Sequence, residues 1–501
     1  MGNKPFAEYA QYDGVGLAEL VARKEVTPAE LLVAAQQRAD EWNPKLNAIV
    51  LRLDVLAEQA LKAGLPQGPF HGVPFLLKDL SNALGGVVRS SGSRFLQDFK
   101  PDFDSELVRR YKQAGLLTFG KTNTPEFGTM PITDPELFGS ARNPWNTART
   151  PGGSSGGAGA AVAAGIVPMA NGGDGGGSIR IPSSCCGLVG LKPTRGLVPC
   201  GPEVGEAWFG MAIEHVLTRS VRDSAAMLDA TARGELGSPY APPPLPEGGY
   251  AADLDAGPGK LRVAWTTQPW LGTGLDPECV RGVEQTATLL EKLGHEVVEA
   301  DPGIDREAFI YAMGTVIAGE TSAMITAASQ LIGRKPRRQD FEPHNWALYK
   351  LGRAFTAAEL QAAVAYLRQV GRQMATFMQD YDVLLNSALG MPPVECGALK
   401  ASGVDRVMLE LINRLPLGRV ATRRDLLVQN YEPIFNWIPT TPIANATGEP
   451  SISLPLHWSA DGLPVGMMFT ARFGEDRTLL RLARQLEQET GWLDKHPSGF
   501  A

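Results

Sequence analysis

The sequence predicts an α/β fold, because short apolar runs typical of buried strands alternate with segments of helical period. The alternation occurs in two separate parts of the chain: strand 73–77, helix 105–113 and strand 116–119, then strand 261–265, helix 277–293 and strand 297–298. Gly115 and Gly294 follow the two helices, as expected where a helix ends. Strands and helices that alternate in this way are typical of βαβ connections within one sheet.

The sequence of the N-terminal region predicts helices that form an arm packed on the core. The motif from Thr27 to Glu30 is a capping box with proline at the first helical position. This helix is expected to end at Asn43-Pro44, and a second helix is expected over 55–63. We therefore predict a helical arm over 1–66 and a main domain over 67–501.

The remainder of the main domain continues the alternation. Residues 238–249 are rich in proline and glycine and predict a linker or an external loop. The later predicted elements are a mostly helical stretch over 306–380, a strand over 382–385, a strand over 465–469 and a helix over 477–490.

Composition and charge narrow the possible functions. The chain has 501 residues, of which 44% are hydrophobic and 20% charged, as in ordinary globular proteins. The formal net charge of −7 predicts no general attraction to nucleic acid or to an anionic membrane. The N-terminus lacks the apolar region of a secretory signal, and the apolar stretch 158–170 is too short and glycine-rich to span a bilayer. A soluble protein is expected.

The cysteines indicate a reducing environment. There are five, with no framework spacing, which favours a cytoplasmic protein over a disulfide scaffold. The adjacent pair Cys185-Cys186 is interpreted as small buried thiols. Because no CxxC or HExxH motif occurs, we expect no zinc site and no cofactor.

Two glycine-rich loops stand out in the segment 150–195. The first, over 152–157, and the second, over 172–180, both contain serine and flank a run of small residues that predicts a tightly packed helix. Glycine permits close approach of the backbone to a ligand, and consecutive N–H groups can converge on a negative charge. A hydroxyl beside such N–H groups is well placed for chemistry that passes through an oxyanion.

A lysine far upstream supplies a base for those hydroxyls. Lys78 follows the apolar strand 73–77, which is expected to carry the lysine into the interior. Loss of hydration favours the neutral form of a lysine, and a neutral lysine can activate a serine. None of the six histidines lies in the serine loops, which argues against a Ser-His-Asp triad.

Taken together, these motifs resemble those of the amidase signature family of serine hydrolases. The resemblance covers most of the chain in the family's order, and it rests on residues 72–79, 120–128, 142–145, 151–157, 172–184, 187–196, 219–223 and 445–450. It implies one large α/β unit with a central mixed β-sheet covered by helices on both faces. It also makes 67–501 the catalytic domain, with a variable helical substrate region at about 306–380.

The resemblance implies a Ser-Ser-Lys triad. Carried over position by position, Ser178 is the nucleophile, Ser154 the bridging serine and Lys78 the base. In the family the bridging serine follows a cis peptide bond, which here is the bond between Gly153 and Ser154.

Further positions carry over from the same resemblance. The oxyanion hole is expected from the N–H groups of Gly175, Gly176, Gly177 and Ser178. Ser155, Asp174 and Arg180 are expected to brace the loops, and Phe127, Thr129 and Met130 to shape the substrate pocket. One position departs from the family, because Gly175 stands where a side chain is usual. This glycine either widens the space beside the oxyanion hole or loosens the loop.

The predicted activity is hydrolysis of the C–N bond of a small-molecule amide through an acyl-enzyme, by a monomer or homodimer. An anilide, ester or carbamate presents the same electrophilic carbonyl. Residues 306–380 and 192–195 look more like the stand-alone amidases, including those that hydrolyse cyclic or linear amides of aminohexanoate. The alternative is an amidotransferase A-type subunit that releases ammonia from glutamine for a partner. A nucleotide-binding protein is a third interpretation, but the chain lacks GxxxxGK[ST].

Overall fold

The fold is built on one mixed β-sheet of eleven strands. The computed structural model describes residues 6–400, 407, 409, 413–414 and 418–499. The strands are β1 Ile49–Arg52, β2 Pro74–Lys78, β3 Leu117–Thr122, β4 Met169–Asp174, β5 Val189–Lys192, β6 Ile213–Thr218, β7 Arg262–Trp265, β8 Glu296–Glu299, β9 Val383–Ser387, β10 Ser451–Trp458 and β11 Pro464–Ala471. Their order across the sheet is β1-β3-β2-β4-β6-β5-β10-β11-β9-β7-β8.

The sheet is mixed, with two groups of parallel strands separated by a run of antiparallel pairs. Strand β2 runs parallel to β3 and β4, and β7 runs parallel to β8 and β9, whereas β4–β6, β5–β6, β5–β10, β10–β11, β9–β11 and β1–β3 are antiparallel. Every residue of β2, β4, β9 and β11 is buried. Successive side chains of a strand point to opposite faces, so both faces of the sheet are covered. The predicted fold class is confirmed.

Fifteen α-helices lie in the described part of the chain. They are α1 Gly14–Ala22, α2 Pro28–Leu46, α3 Asp54–Ala63, α4 Glu106–Gln113, α5 Gly156–Ala163, α6 Arg180–Cys186, α7 Val221–Thr231, α8 Pro277–Lys292, α9 Arg306–Ile332, α10 Pro343–Ala354, α11 Ala357–Phe377, α12 Gly418–Ala421, α13 Arg424–Trp437, α14 Thr441–Thr447 and α15 Asp476–Thr490. The predicted helices α4, α8 and α15 and the mostly helical character of 306–380 are confirmed.

The first 66 residues contribute a strand as well as helices. Helix α2 begins at the predicted capping box, where the Glu30 carboxylate accepts a hydrogen bond of 2.8 Å from the N–H of Thr27. The prediction that α2 ends at Asn43-Pro44 is wrong, because the helix continues to Leu46. Proline lacks an N–H, but here it stands within the last turn, and the N–H of left-handed Asn47 closes the helix on the Asn43 carbonyl.

The N-terminal segment is thus joined to the sheet. Strand β1 pairs with β3 and forms one edge of the sheet. Residues 1–5 of the predicted arm and, in the main domain, 401–406, 408, 410–412, 415–417 and 500–501 lie outside the described residues.

Strand β4 includes residues that the sequence analysis placed in a loop. Gly172 and Gly173 pair with His215 and Glu214 of β6, in the middle of the sheet. Glycines usually interrupt a strand, but a Cβ on Gly172 would lie 3.1 Å from the Ser155 hydroxyl, so this strand needs small residues where the serine loop crosses it.

Helix α9 is the core of the helical region. Among the described residues it is the one helix long and apolar enough to cross a membrane by length and composition. Since 61% of its apolar window is buried inside the protein, we interpret it as a core helix.

Candidate active site

Lys78 lies at the end of β2, in the middle of the buried sheet. Its side chain is 1% exposed, and its ammonium nitrogen donates to Ser154 Oγ at 2.7 Å, Ser155 Oγ at 3.0 Å and the Gly173 carbonyl at 3.4 Å. Burial lowers the pKa of Lys78 to about 8, although the charges of nearby Glu214 and Asp174 oppose that shift. The neutral form of this lysine is therefore accessible near physiological pH.

Ser154 and Ser155 lie in the loop that leads into α5. The peptide bond between Gly153 and Ser154 is cis, as the family resemblance implies. Ser155 was expected to brace the loops, and it does so through hydrogen bonds of 3.3 Å with both the N–H and the carbonyl of Gly173. It also contacts Lys78 directly, which the sequence analysis did not anticipate.

Helix α5 explains why the loop before it is so closely held. Its sequence, GGAGAAVA, contains only small residues and one valine, and all eight are buried. A Cβ on Gly157 would lie 2.4 Å from the backbone nitrogen of Asn123, so the helix packs directly against another segment's main chain. The small residues thus bring the serine loop down onto β2 and β4.

Ser178 lies between β4 and α6, two residues before α6 begins at Arg180. Its carbonyl accepts a hydrogen bond of 3.3 Å from the N–H of Ser155, which places the two serine loops side by side. Ser178 is 9% exposed, against 2% for Ser154 and 1% for Lys78, so exposure falls steadily toward the lysine. The Ser178 hydroxyl makes no hydrogen bond to any residue that the structure describes.

The loop 175–178 turns sharply at Gly177, where φ is +122° and only glycine is unstrained. The N–H of Gly177 donates to Asp174 Oδ1 at 2.7 Å. That N–H is therefore engaged within the protein, whereas the N–H groups of Gly175, Gly176 and Ser178 make no hydrogen bond to the described residues. The oxyanion hole stays a prediction, for which these three N–H groups are the available donors.

Asp174 and Arg180 anchor that loop from behind. Arg180 donates to both carboxylate oxygens of Asp174, at 2.9 and 3.0 Å, and both side chains are fully buried. Burial alone would raise the pKa of Asp174, but the charge and hydrogen bonds of Arg180 lower it to about 2. Asn445 completes the anchor by donating to the Asp174 carboxylate at 2.9 Å and to its carbonyl at 2.8 Å.

Replacing Asp174 with asparagine is expected to lower the free energy of unfolding by about 3–5 kcal/mol, because the buried Arg180 charge loses its partner. Chemical denaturation measures this change. Glu25→Gln is the control: Glu25 pairs with Arg23 on the surface, with both side chains 54% exposed, so its loss should cost under about 1 kcal/mol. A loss below about 1 kcal/mol for Asp174→Asn would contradict the anchoring role.

The predicted pocket residues lie on a turn beside Ser154, but their side chains differ in environment. A Cβ on Gly128 would lie 3.2 Å from Ser154 Oγ, which places the turn over the serine. Phe127 is buried against Phe341, with ring centroids 6.0 Å apart, in a satellite cluster below α9 and α10. Thr129 donates to Asn345 Oδ1 of α10 at 2.7 Å, and Met130 is half-buried.

Several residues near the loop were not singled out from the sequence. The hydroxyl of Thr441 donates to the Gly176 carbonyl at 2.9 Å, and the Met313 methyl lies 3.9 Å from the position of a Cβ on Gly176. Asn445 belongs to a motif that carried the family resemblance, but no spacing in the sequence connects it with Asp174. These contacts bridge more than a hundred residues of chain, so only the fold reveals them.

Comparisons with known proteins find relatives that align over almost the whole chain. The family model described as Amidase matches residues 30–480. A 6-aminohexanoate-cyclic-dimer hydrolase of Paenarthrobacter ureafaciens is 35% identical over 493 residues, which cover 97% of this chain and 96% of that protein. The hydrolase of the same description from Pseudomonas sp. (strain NK87) is 36% identical with the same coverage. A solved structure of 6-aminohexanoate cyclic dimer hydrolase is 34% identical and covers 98% of this chain and 99% of its own, with a TM-score of 0.88.

Proposed function

The chain belongs to the amidase signature family and is a hydrolase of amide C–N bonds, and from this premise we propose that it cleaves small-molecule amides through an acyl-enzyme on Ser178. The observation that carries the proposal is the 2.7 Å contact between the amine of buried Lys78 and the Ser154 hydroxyl. Lys78 is a base with a lowered pKa that is hydrogen-bonded to Ser154, and the loop that carries Ser178 lies beside the loop of Ser154. A base in this position can activate a serine hydroxyl.

In the first step Ser178 attacks the amide carbonyl carbon. Neutral Lys78 takes the Ser154 proton while Ser154 takes the proton of Ser178, so the new O–C bond forms as the charge moves to the lysine. The carbonyl oxygen becomes an oxyanion, which the free N–H groups of Gly175, Gly176 and Ser178 stabilise. One such donor is typically worth about 3–4 kcal/mol.

In the second step the C–N bond breaks. An amide anion is a poor leaving group, so the proton held by Lys78 passes back through Ser154 to the departing nitrogen. A neutral amine leaves and Ser178 carries the acyl group as an ester. A water molecule, deprotonated along the same path, then attacks the ester carbonyl. The carboxylic acid leaves as the second product of the reaction, and the proton returns to the oxygen of Ser178, which restores its hydroxyl.

We propose small amides as the substrates, including cyclic and linear amides of aminohexanoate. Support comes from the relatives named as 6-aminohexanoate-cyclic-dimer hydrolases, which align over almost the full chain. Anilides, esters and carbamates carry the same electrophilic carbonyl and belong to the panel that tests the range of substrates.

The test is a hydrolysis panel of these four bond types, together with glutamine, with mass spectrometry of the intact protein. We expect turnover of amides and a mass increase equal to the acyl group, located on the peptide that contains Ser178. Glutaminase activity that exceeds every amide in the panel would favour the amidotransferase subunit instead. An acyl adduct located on a different residue would overturn the mechanism.

A further inference from the structure

The departure from the family at position 175 coincides with an aromatic ring. A Cβ added to Gly175 would lie 3.2 Å from Cε3 and 3.4 Å from Cζ3 of Trp208, and 3.6 Å from the Ala212 methyl. The φ angle of Gly175 lies outside the left-handed region, so φ alone does not require glycine here. A side chain at position 175 would therefore crowd the indole ring, which would have to move by a few tenths of an ångström to admit it.

Trp208 is held in an unusual backbone conformation. Its φ is +52° and that of Phe209 is +53°, in a region that bulky residues rarely adopt. The tight turn is closed by hydrogen bonds from the N–H of Met211 to the Trp208 carbonyl, at 3.0 Å, and from the N–H of Ala212 to the Ala207 carbonyl, at 3.2 Å. Strained backbone of this kind persists only where its surroundings hold it, and it is concentrated at functional sites.

The turn and the oxyanion loop are fixed to the same frame. Asn445, which anchors Asp174, also donates to the Met211 carbonyl at 2.9 Å. Arg195 donates to the Gly210 carbonyl at 2.7 Å. The half-buried indole thus has a set position relative to the half-exposed Gly175.

We propose that Trp208 is the specificity-determining residue of this site and that Gly175 is glycine in order to seat it. The proposal rests on the function proposed above. The leaving nitrogen must lie beside Ser154 to receive its proton, so the acyl group extends to the other side of the loop. There the Trp208 ring and the Met313 methyl form an apolar wall beside Gly175 and Gly176.

This wall selects acyl groups by shape. A carbonyl oxygen bound to the N–H of Gly175 brings the neighbouring acyl carbon against the edge of the ring. An unbranched methylene chain can run along an apolar, flat surface, whereas a branch on the carbon next to the carbonyl collides with it. The substrate class is therefore amides of unbranched, apolar acyl groups.

The test uses the 4-nitroanilides of hexanoic acid and of 2-methylhexanoic acid, which share a leaving group and differ by one methyl. We expect the wild type to prefer the unbranched substrate by at least about tenfold in kcat/KM. Trp208→Ala should reduce that ratio by at least about tenfold, and Trp208→Phe should give an intermediate ratio. Phe209→Ala is the matched control, with the same φ and burial, and should keep the ratio within about twofold.

A double-mutant experiment distinguishes a specific clash with the Trp208 ring from a general disturbance of the loop. Gly175→Val is expected to reduce kcat/KM for both substrates by at least about tenfold, because the valine displaces the ring. In the Trp208→Ala background the same change should cost less than about threefold. An unchanged ratio in Trp208→Ala and Trp208→Phe, or additive losses in the double variant, overturns the proposal. Absence of any anilide or amide hydrolysis by the wild type would overturn the proposed function itself, which keeps the two failures distinct.

Discussion

Ser178→Ala is expected to abolish amide hydrolysis and leave the fold intact. The variant lacks the only atom proposed to form a bond with the substrate, and Ser178 Oγ makes no hydrogen bond to the described residues that folding would lose. Removal of a serine nucleophile typically lowers kcat by about a millionfold. The loss is measured by steady-state kinetics, and mass spectrometry should find no acyl adduct.

The control for this variant is Ser183→Ala in α6. Ser183 is buried five residues after Ser178, and its hydroxyl has no hydrogen-bond partner among the described residues. The alanine therefore removes no bond, and both turnover and thermal midpoint should stay close to wild type. Near-normal turnover by Ser178→Ala, with Ser183→Ala equally active, would reject Ser178 as the nucleophile.

Lys78→Met is expected to lower kcat/KM by about 10,000-fold and to remove the pH dependence that the lysine confers. Neutral Lys78 accepts the proton, and burial lowers its pKa to about 8. In the wild type kcat/KM should consequently rise with increasing pH and level off above about 8. Methionine has a similar length and no charge, so it fills the buried space without supplying a base.

Lys192→Met is the matched control for the lysine. Lys192 is also fully buried, burial lowers its pKa to about 7, and its amine donates to the Pro193 carbonyl at 2.9 Å. It lies at the end of β5 and makes no hydrogen bond to the hydroxyl of Ser154 or Ser178. We therefore expect kcat/KM of Lys192→Met to rise with pH over the same range as in the wild type. If this rise disappears in Lys192→Met and persists in Lys78→Met, the base is misassigned.

The parts of the site that the sequence predicts are those encoded in contiguous motifs. Lys78 follows directly on an apolar strand, and both serines stand in glycine-rich loops, so each is visible in a window of a few residues. The family resemblance then supplies their roles. The same reasoning identifies β7, α8 and β8, where local period and a terminal glycine coincide.

Most of the parts that the sequence does not predict depend on distant contacts. The hydrogen bond from the Gly177 N–H to Asp174 spans only three residues, but a glycine-rich run alone suggests four equivalent donors and does not distinguish this one. The last three residues of β4, over 172–174, fall in the predicted second glycine-rich loop because glycine has a low strand propensity, yet pairing with β6 overrides that preference. Trp208 lies in a segment with no recognisable motif, and its proposed role in specificity follows only from its position beside Gly175 in the fold.

The packing of α5 has a consequence for any attempt to redesign this protein. Seven small residues and one valine, all buried, leave little room for a larger side chain, so we expect substitutions by larger residues there to shift the adjoining serine loop. The turn that carries Trp208, and Met313 of α9, lie beside the loop 175–178 without being part of the proposed relay. Libraries that aim at new substrates should therefore sample the turn and Met313 and keep α5 invariant.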